Sequence, residues 1–178
     1  MTERRPNPED LLEAVQKIEG SGKRGRLRIF MGMCPGVGKT YSMLKAAREQ
    51  VQRGVRVWVG VVETHGRKET EELLPGLPIF PRVERKYKGT VVTEMDVDAI
   101  LRERPSLVLV DELAHTNAPG SRHAKRYQDV EEILNAGINV YSTINIQHIE
   151  SRNDQVAQIT SVQVRETVPD SFIEAADQ

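Results

Sequence analysis

The chain has 178 residues, of which 38% are hydrophobic, 29% charged and only 4% aromatic. Lys and Arg number 25 and Asp and Glu 26, so the formal net charge is −1, which argues against a nucleic-acid coat or a polybasic membrane anchor. No apolar run approaches the roughly 20 residues that span a bilayer. The single cysteine, Cys34, excludes an internal disulfide and a multi-cysteine zinc site. We expect a cytoplasmic chain without nucleic-acid contacts.

Residues 1–23 predict a short amphipathic helix followed by a basic linker. Asn7 can cap the helix, and apolar side chains recur at helical spacing through residues 11–18. The glycines and basic residues of 20–26 then interrupt the periodicity. We expect residues 24–178 to form one globular domain.

Beyond the linker, strand patterns alternate with helix patterns. Strands are predicted at 27–31, 55–62, 91–92, 107–110 and 138–144, and helices at 39–53, 68–74, 96–104 and 126–135. Strands that are separated by helix-length segments favour right-handed crossovers and a mostly parallel sheet. The predicted fold class is therefore α/β.

The strongest chemical signal lies between the first predicted strand and the first long helix, the context that a phosphate-binding loop requires. The glycines let backbone N–H groups surround phosphate oxygens, and the helix start adds its positive dipole end. Lys39 is expected to reach the β- and γ-phosphates, and the Thr40 hydroxyl to bind Mg²⁺. The predicted nucleotide-binding residues of this segment are Gly36, Val37, Gly38, Lys39, Thr40 and Tyr41.

One departure from the usual phosphate-loop pattern concerns its first glycine. That position holds Met33, and Gly32 lies one residue earlier, which predicts an altered entry into the loop. The alternative interpretation is a glycine-rich turn that merely ends in Lys-Thr. The acidic strand end described next favours the phosphate loop.

A second signal is the apolar strand 107–110, which is followed by Asp111 and Glu112. A carboxylate at the end of such a strand can bind Mg²⁺, the role expected for Asp111. Glu112 could polarise an attacking water or hydroxyl. Together the two signals predict an ATP- and Mg²⁺-binding α/β protein of the P-loop NTPase (RecA-like) type, in which helices flank a mostly parallel β-sheet.

Two polar loops supply further candidates. Glu63, Thr64 and His65 follow the second strand, where ligands bind in open parallel sheets; an ordinary polar turn is the alternative. Arg122 lies in the long loop after the acidic pair and could stabilise a transferring phosphate; a solvated arginine is the alternative. His115, in the same loop, lacks the spacing of a metal ligand.

The last predicted strand ends in polar residues that could sense a γ-phosphate. Asn145 is the candidate, with Thr143 and Gln147 behind it. A turn-forming asparagine with ordinary capping is the alternative.

Four segments carry a resemblance to a known family. Residues 32–44, 111–123, 141–151 and 164–170 closely resemble the N-terminal cytoplasmic domain of KdpD-type potassium sensor kinases. The resemblance extends over about 24–178. The first segment alone would fit any P-loop protein, whereas the second and third together are specific to the family.

The resemblance implies a regulatory ATP-binding domain of a two-component, osmosensitive K⁺ sensor histidine kinase. It implies a parent protein in the bacterial inner membrane, reached only through transmembrane helices outside this sequence. It further implies the other domains of that kinase as partners and, through them, the response regulator KdpE, which controls high-affinity K⁺ uptake. The family's ATP-binding role transfers to Gly36, Gly38, Lys39 and Thr40, and to Asp111 for the metal.

Autophosphorylation is not expected of this sequence, because it contains no phosphoacceptor box of the His-Glu-Leu-Arg-Thr-Pro type. His115 is followed by Thr116, and His148 is followed by Ile149. The alternative functions are a P-loop ATPase and a small-molecule kinase that resembles thymidine kinase, with Glu112 as the base. One cysteine cannot build the zinc cluster usual in thymidine kinases, and no acceptor pocket is recognisable. We therefore expect regulation by bound ATP.

Overall fold

The structure is a computed structural model that describes residues 22–161 and 163–178. The helix predicted within 1–23 lies outside the described residues. In the described part of the chain, no helix has both the length and the apolar character needed to cross a bilayer.

Helices alternate with strands through most of the domain. The elements are β1 (Leu27–Gly32), α1 (Lys39–Gln52), β2 (Val57–Val61), α2 (Lys68–Glu71), β3 (Val83–Tyr87), β4 (Thr90–Glu94), α3 (Val97–Glu103), β5 (Leu107–Val110), α4 (Arg126–Asn135), β6 (Asn139–Asn145), a 3₁₀ turn (Ile146–His148), α5 (Glu150–Thr160) and α6 (Asp170–Glu174).

The described residues form a parallel sheet with the strand order β1-β6-β5-β2. Gly32 pairs with Asn145, and Val110 pairs with Ser142. The carboxyl ends of the strands therefore meet at one edge of the sheet, where ligands bind in this architecture. The prediction of an α/β fold with a mostly parallel sheet flanked by helices is confirmed.

Aliphatic side chains fill both faces of the sheet. Every residue of β5 is buried, as expected for a parallel strand covered on both sides. Leu107 and Leu109 pack in a cluster with Met43 of α1. Val108 and Val110 belong to the opposite cluster, with residues of α3 and α4. This two-sided packing fixes the position of β5 and of the residues that follow it.

An antiparallel hairpin of β3 and β4 stands apart from the main sheet. The sequence patterns predict only a short strand at 91–92 and no strand at the position of β3. The reason is that β3 is polar, with Glu84, Arg85 and Lys86 in five residues. The turn residues Lys88 and Gly89 both have positive φ, 47° and 77°, as two-residue hairpin turns require.

Three helices also differ from the sequence predictions. The helix predicted over 68–74 ends as α2 at Glu71, ahead of the prolines that start at Pro75. Helix α6, of five residues, and helix α5 are not predicted; α5 has few apolar residues and buries only Asn153. Asn153 exchanges two hydrogen bonds with the backbone of Val164, at 2.8 and 3.2 Å, and so fixes the C-terminal segment.

Gly25 occupies a position where a side chain does not fit. A Cβ there would lie 2.0 Å from the backbone oxygen of Ile138, and the Gly25 N–H donates to Leu134 O at 2.7 Å. Gly25→Ala should therefore lower the free energy of unfolding by about 1–3 kcal/mol, measured by urea denaturation. The matched change Gly22→Ala, at an exposed residue, should cost less than about 0.5 kcal/mol. Equal effects of the two changes would contradict the packing at Gly25.

Candidate functional site

An open cleft of about 390 Å³ lies at the carboxyl edge of the sheet. Its walls are the β1–α1 loop and the segments that follow β2, β5 and β6. The volume of the cleft lies within the range of ~300–1,000 Å³ that is usual for small-molecule sites. The cleft brings together these predicted site residues: Gly36, Gly38, Lys39, Thr40, Tyr41, Asp111, Glu112 and Asn145. Val37 and Arg122 do not line it.

The β1–α1 loop lines the cleft with Pro35, Gly36 and Gly38. Gly36 and Gly38 have φ of 90° and 88°, in the left-handed region that favours glycine. Gly38 is also the N-cap of α1, and within the described residues no side chain caps this helix start. The first N–H groups of α1 therefore remain available to an anion.

Close packing explains why a glycine is required at position 32. A Cβ on Gly32 would lie 2.4 Å from Cγ2 of Val37 and 3.0 Å from Cδ of Lys39. Val37 therefore covers Gly32 outside the cleft, and the aliphatic part of Lys39 passes directly over it. Met33, at the usual glycine position, is 73% exposed and needs no small side chain.

Lys39 extends along the loop. Its Nζ donates to the backbone oxygen of Cys34 at 3.1 Å. Partial burial lowers the pKa of Lys39, the Asp111 charge opposes this shift, and the positive charge of Arg67 adds to it. The ammonium group is thus already aligned with the wall of the cleft.

Asp111 is the centre of the site and is 1% exposed. Thr40 Oγ1 donates to its carboxylate, at 3.1 and 3.2 Å from the two oxygens, and the Thr143 hydroxyl donates to Oδ1. Backbone N–H groups of Glu63 and Glu112 donate at 3.0 and 3.2 Å. Donors from four segments of the chain therefore fix this carboxylate beside Thr40, at the start of α1.

Glu112 and His65 face each other across the mouth of the cleft. Both have positive φ, 56° and 52°, which is uncommon for residues other than glycine. Glu112 Oε1 lies 3.3 Å from His65 Nε2, and the Glu112 N–H donates to Thr143 Oγ1 at 3.0 Å. The Glu112 carboxylate is thereby held open to solvent beside Asp111.

Asn145 lines the cleft at the end of β6. Its Oδ1 is buried and has no hydrogen-bond partner within the described residues. Thr143, two residues earlier, contacts Asp111 directly. Gln147, the third residue predicted at the end of β6 together with Thr143 and Asn145, does not line the cleft.

Arg122 is directed away from the cleft. Its guanidinium donates to Asp98 of α3 at 2.7 Å. Its Nε also donates to Oε2 of Glu132 on α4, at 2.7 Å. The hydrogen bonds from Arg122 lower the pKa of Glu132. Arg67 lines the cleft instead. The sequence patterns do not single it out as a site residue.

A buried group of charges connects the cleft to the hairpin. His115 lines the cleft, and its Nε2 lies 3.0 and 3.1 Å from the carboxylate oxygens of Glu94 on β4. Arg126 Nη2 lies 3.6 Å from Glu94, and Arg126 Nη1 donates to the backbone oxygen of Asp111 at 3.0 Å. Burial lowers the pKa of Arg126, which nearby carboxylates oppose. A chain of polar contacts therefore runs from Asp111 to β4.

The C-terminal segment completes the wall of the cleft with His148 and Glu166, which were not selected as site residues. Glu166 Oε1 accepts from the Thr116 N–H at 2.9 Å, and His148 Nδ1 donates to Glu166 O at 2.7 Å. Burial acts to raise the pKa of Glu166, but the hydrogen bonds from Thr116 and the electrostatic contributions of His115 and Lys125 together outweigh it, so the pKa lies below the ordinary value of 4.5.

Because this pKa is depressed, ionised Glu166 stabilises the fold above its ordinary pKa, and the contribution is lost as the pH falls through the folded pKa. Glu166→Gln should therefore be less stable than the unaltered chain near pH 7, and the gap should close as the pH falls below 4.5 and through the folded pKa. Urea unfolding across this range measures the gap. Glu174→Gln, at an exposed position, removes the same charge as a control. A gap that persists in acid would contradict the assignment.

A family model described as the osmosensitive K⁺ channel His kinase sensor domain, KdpD, matches residues 23–178. The chain is 53% identical over 173 residues to the sensor protein KdpD of Escherichia coli (strain K12), covering 97% of this chain and 19% of that protein. It is 55% identical over 156 residues to the sensor protein KdpD of Mycobacterium tuberculosis (strain ATCC 25618 / H37Rv), covering 88% and 18%.

A third similar protein is the putative sensor protein KdpD of Synechocystis sp. (strain ATCC 27184 / PCC 6803 / Kazusa), 54% identical over 156 residues that cover 88% of this chain and 42% of that protein. The chain spans less than a fifth of the E. coli and M. tuberculosis relatives. Since the family match covers everything after residue 22, the chain belongs to the KdpD sensor-domain family.

Proposed function

We propose that the chain binds Mg·ATP in the cleft and acts as the nucleotide-responsive domain of an osmosensitive K⁺ sensor kinase. The observation that carries this proposal is the contact of Thr40 Oγ1 with the Asp111 carboxylate, at 3.1 and 3.2 Å, beside the glycine loop and Lys39. A threonine hydroxyl next to the phosphate loop and a carboxylate at the end of another strand are the protein groups that hold Mg²⁺ in P-loop NTPases.

The residues present fit a nucleoside triphosphate. The left-handed glycines and the uncapped start of α1 supply N–H donors, and Lys39 and Arg67 supply positive charge within the cleft. Within the described residues, no group of three or more His, Cys, Asp or Glu side chains could hold a metal. This suits Mg²⁺, which is commonly bound by one or two carboxylates together with substrate phosphates and water.

Each group in the cleft has a distinct part in this proposal. Bound Mg²⁺ would supply charge neutralisation at the phosphates. Thr40 and Asp111 would hold and orient it, Lys39 would bind the phosphate oxygens, and the unpartnered Oδ1 of Asn145 would accept a hydrogen bond from ligand or water. The Lys39 ammonium would exchange its contact with Cys34 O for phosphate.

Regulation requires only that ATP bind one arrangement of the domain better than another. Asp111 joins the cleft to β4 through Arg126 and Glu94, so a ligand that tightens the Asp111 end also tightens the hairpin. In longer KdpD-type proteins, this difference would bias the kinase domains and, through them, phosphotransfer to the response regulator KdpE. The parent protein would lie in the bacterial inner membrane.

A second candidate function is supported by Glu112. Its exposed carboxylate is held beside Asp111 by His65, where it could act as a base toward water or a hydroxyl. The corresponding activity is an ATPase, or a small-molecule kinase of the thymidine-kinase type.

Calorimetric titration with Mg·ATP tests the proposed binding. Lys39→Ala and Thr40→Ala should each weaken binding by about 10- to 100-fold, because each removes a charged or metal-held contact worth roughly 1.5–3 kcal/mol. Lys45→Ala removes an exposed lysine of the same helix and should leave affinity within about 2-fold. Binding that is unchanged in Lys39→Ala would contradict the site.

A phosphate-release assay on the same proteins separates the two candidate functions. Negligible turnover with intact binding supports a nucleotide sensor. Rapid phosphate release that Glu112→Gln abolishes would favour the ATPase or kinase instead.

A further inference from the structure

Arg67 is a cation of the cleft without a carboxylate partner. Throughout 22–161 and 163–178, no Asp or Glu oxygen lies within ion-pair distance of its guanidinium, whereas the following arginines each pair with at least one carboxylate: Arg56, Arg82, Arg122 and Arg126. An arginine presents five N–H donors in a planar fork. The donors of Arg67 therefore remain available to a ligand.

The guanidinium of Arg67 lies against the β1–α1 loop. A Cβ on Gly36 would be 3.0 Å from Arg67 Nη2, so the guanidinium is in close contact with the loop at this glycine. Gly36 has φ of 90° and turns the loop toward the cleft. The Arg67 guanidinium thus lies beside the loop that is proposed to surround phosphate, and it lines the same cleft.

Backbone hydrogen bonds hold the Arg67 main chain in place. The Arg67 N–H donates to Thr64 O at 3.1 Å, and Arg67 O accepts from Thr70 and Glu71 at 3.0 and 2.9 Å. Thr64 Oγ1 also donates to Glu71 at 3.2 Å. Because the main chain is already ordered, binding a ligand costs mainly the ordering of one side chain.

The same segment is attached to the metal end of the cleft. The Glu63 N–H donates to Asp111 Oδ2 at 3.0 Å, so residues 63–67 extend from Asp111 to Gly36. In nucleoside triphosphate sites the metal bridges the β- and γ-phosphates. Arg67, which lies on the segment between Asp111 and Gly36, is therefore near the position expected for the terminal phosphate of a bound triphosphate.

We infer that Arg67 binds the terminal phosphate of the nucleotide and makes the cleft selective for nucleoside triphosphates over diphosphates. The inference rests on the proposed function. Arginine suits this role because its fork can bind two phosphate oxygens at once. A diphosphate anchored by the same loop and Lys39 would leave Arg67 without its ligand, so its contribution to affinity would be absent.

The test is the affinity of the chain for Mg·ADP and for the Mg²⁺ complex of a β,γ-imido ATP analogue, measured by calorimetry. In Arg67→Ala, affinity for the triphosphate analogue should fall by about 10- to 100-fold and affinity for Mg·ADP by less than about 3-fold. Arg67→Lys should lose part of the preference, because it keeps the charge and loses the fork. Arg53→Ala, at an exposed arginine beyond the other end of α1, serves as the control, and thermal unfolding checks that each variant is folded.

Each outcome bears on a different statement. Equal weakening of both nucleotides in Arg67→Ala, or no weakening of either, would overturn the inference and leave the proposed function in place. Absence of binding of both nucleotides to the unaltered chain would overturn the proposed function and the inference with it.

Discussion

The buried carboxylate of Asp111 is the constraint on which the rest of the site depends. A charge that is 1% exposed is costly unless it is hydrogen-bonded, and here the donors come from four segments: Thr40 after the β1–α1 loop, Glu63 after β2, Glu112 after β5 and Thr143 on β6. Meeting this need brings those four segments to one point. The cleft is the space that they enclose at the carboxyl edge of the sheet.

The same constraint extends beyond the cleft. The backbone oxygen of Asp111 accepts from Arg126, whose guanidinium also lies near Glu94 on the hairpin. Glu94 in turn contacts His115, which lines the cleft. A polar path therefore runs from the proposed metal position to β4 within the described residues. We regard this path as the physical basis for the proposed regulation, because a ligand at Asp111 acts on an element that is not part of the parallel sheet.

Local patterns in the sequence predicted the parallel sheet, and they single out many of the residues that line the cleft. The apolar strand before Asp111 and the glycines before Lys39 carry enough information by themselves, since strand ends and helix starts are determined by neighbouring residues. Arg122 and Arg67 could not be told apart in this way. Both lie in polar loops after strands, and only the positions of Asp98 and Glu132 direct Arg122 away from the cleft.

Other features depend on contacts that are distant in the chain. Glu166 joins the site through Thr116, 50 residues earlier, and no local pattern encodes that distance. Strand β3 and helix α5 are polar, so hydrophobic periodicity did not reveal them. The need for Gly32 follows from the packing of Val37 and Lys39 in three dimensions, which a pattern of spacings does not contain.

A crystal of the chain with Mn²⁺ and a β,γ-imido ATP analogue would test the central claim most directly, because Mn²⁺ can be located by its anomalous scattering. The account predicts one metal peak about 2.1 Å from Thr40 Oγ1, on the Asp111 side of the phosphates, with Lys39 in contact with phosphate oxygens. A metal peak remote from Thr40 and Asp111, or a nucleotide bound away from the β1–α1 loop, would contradict it.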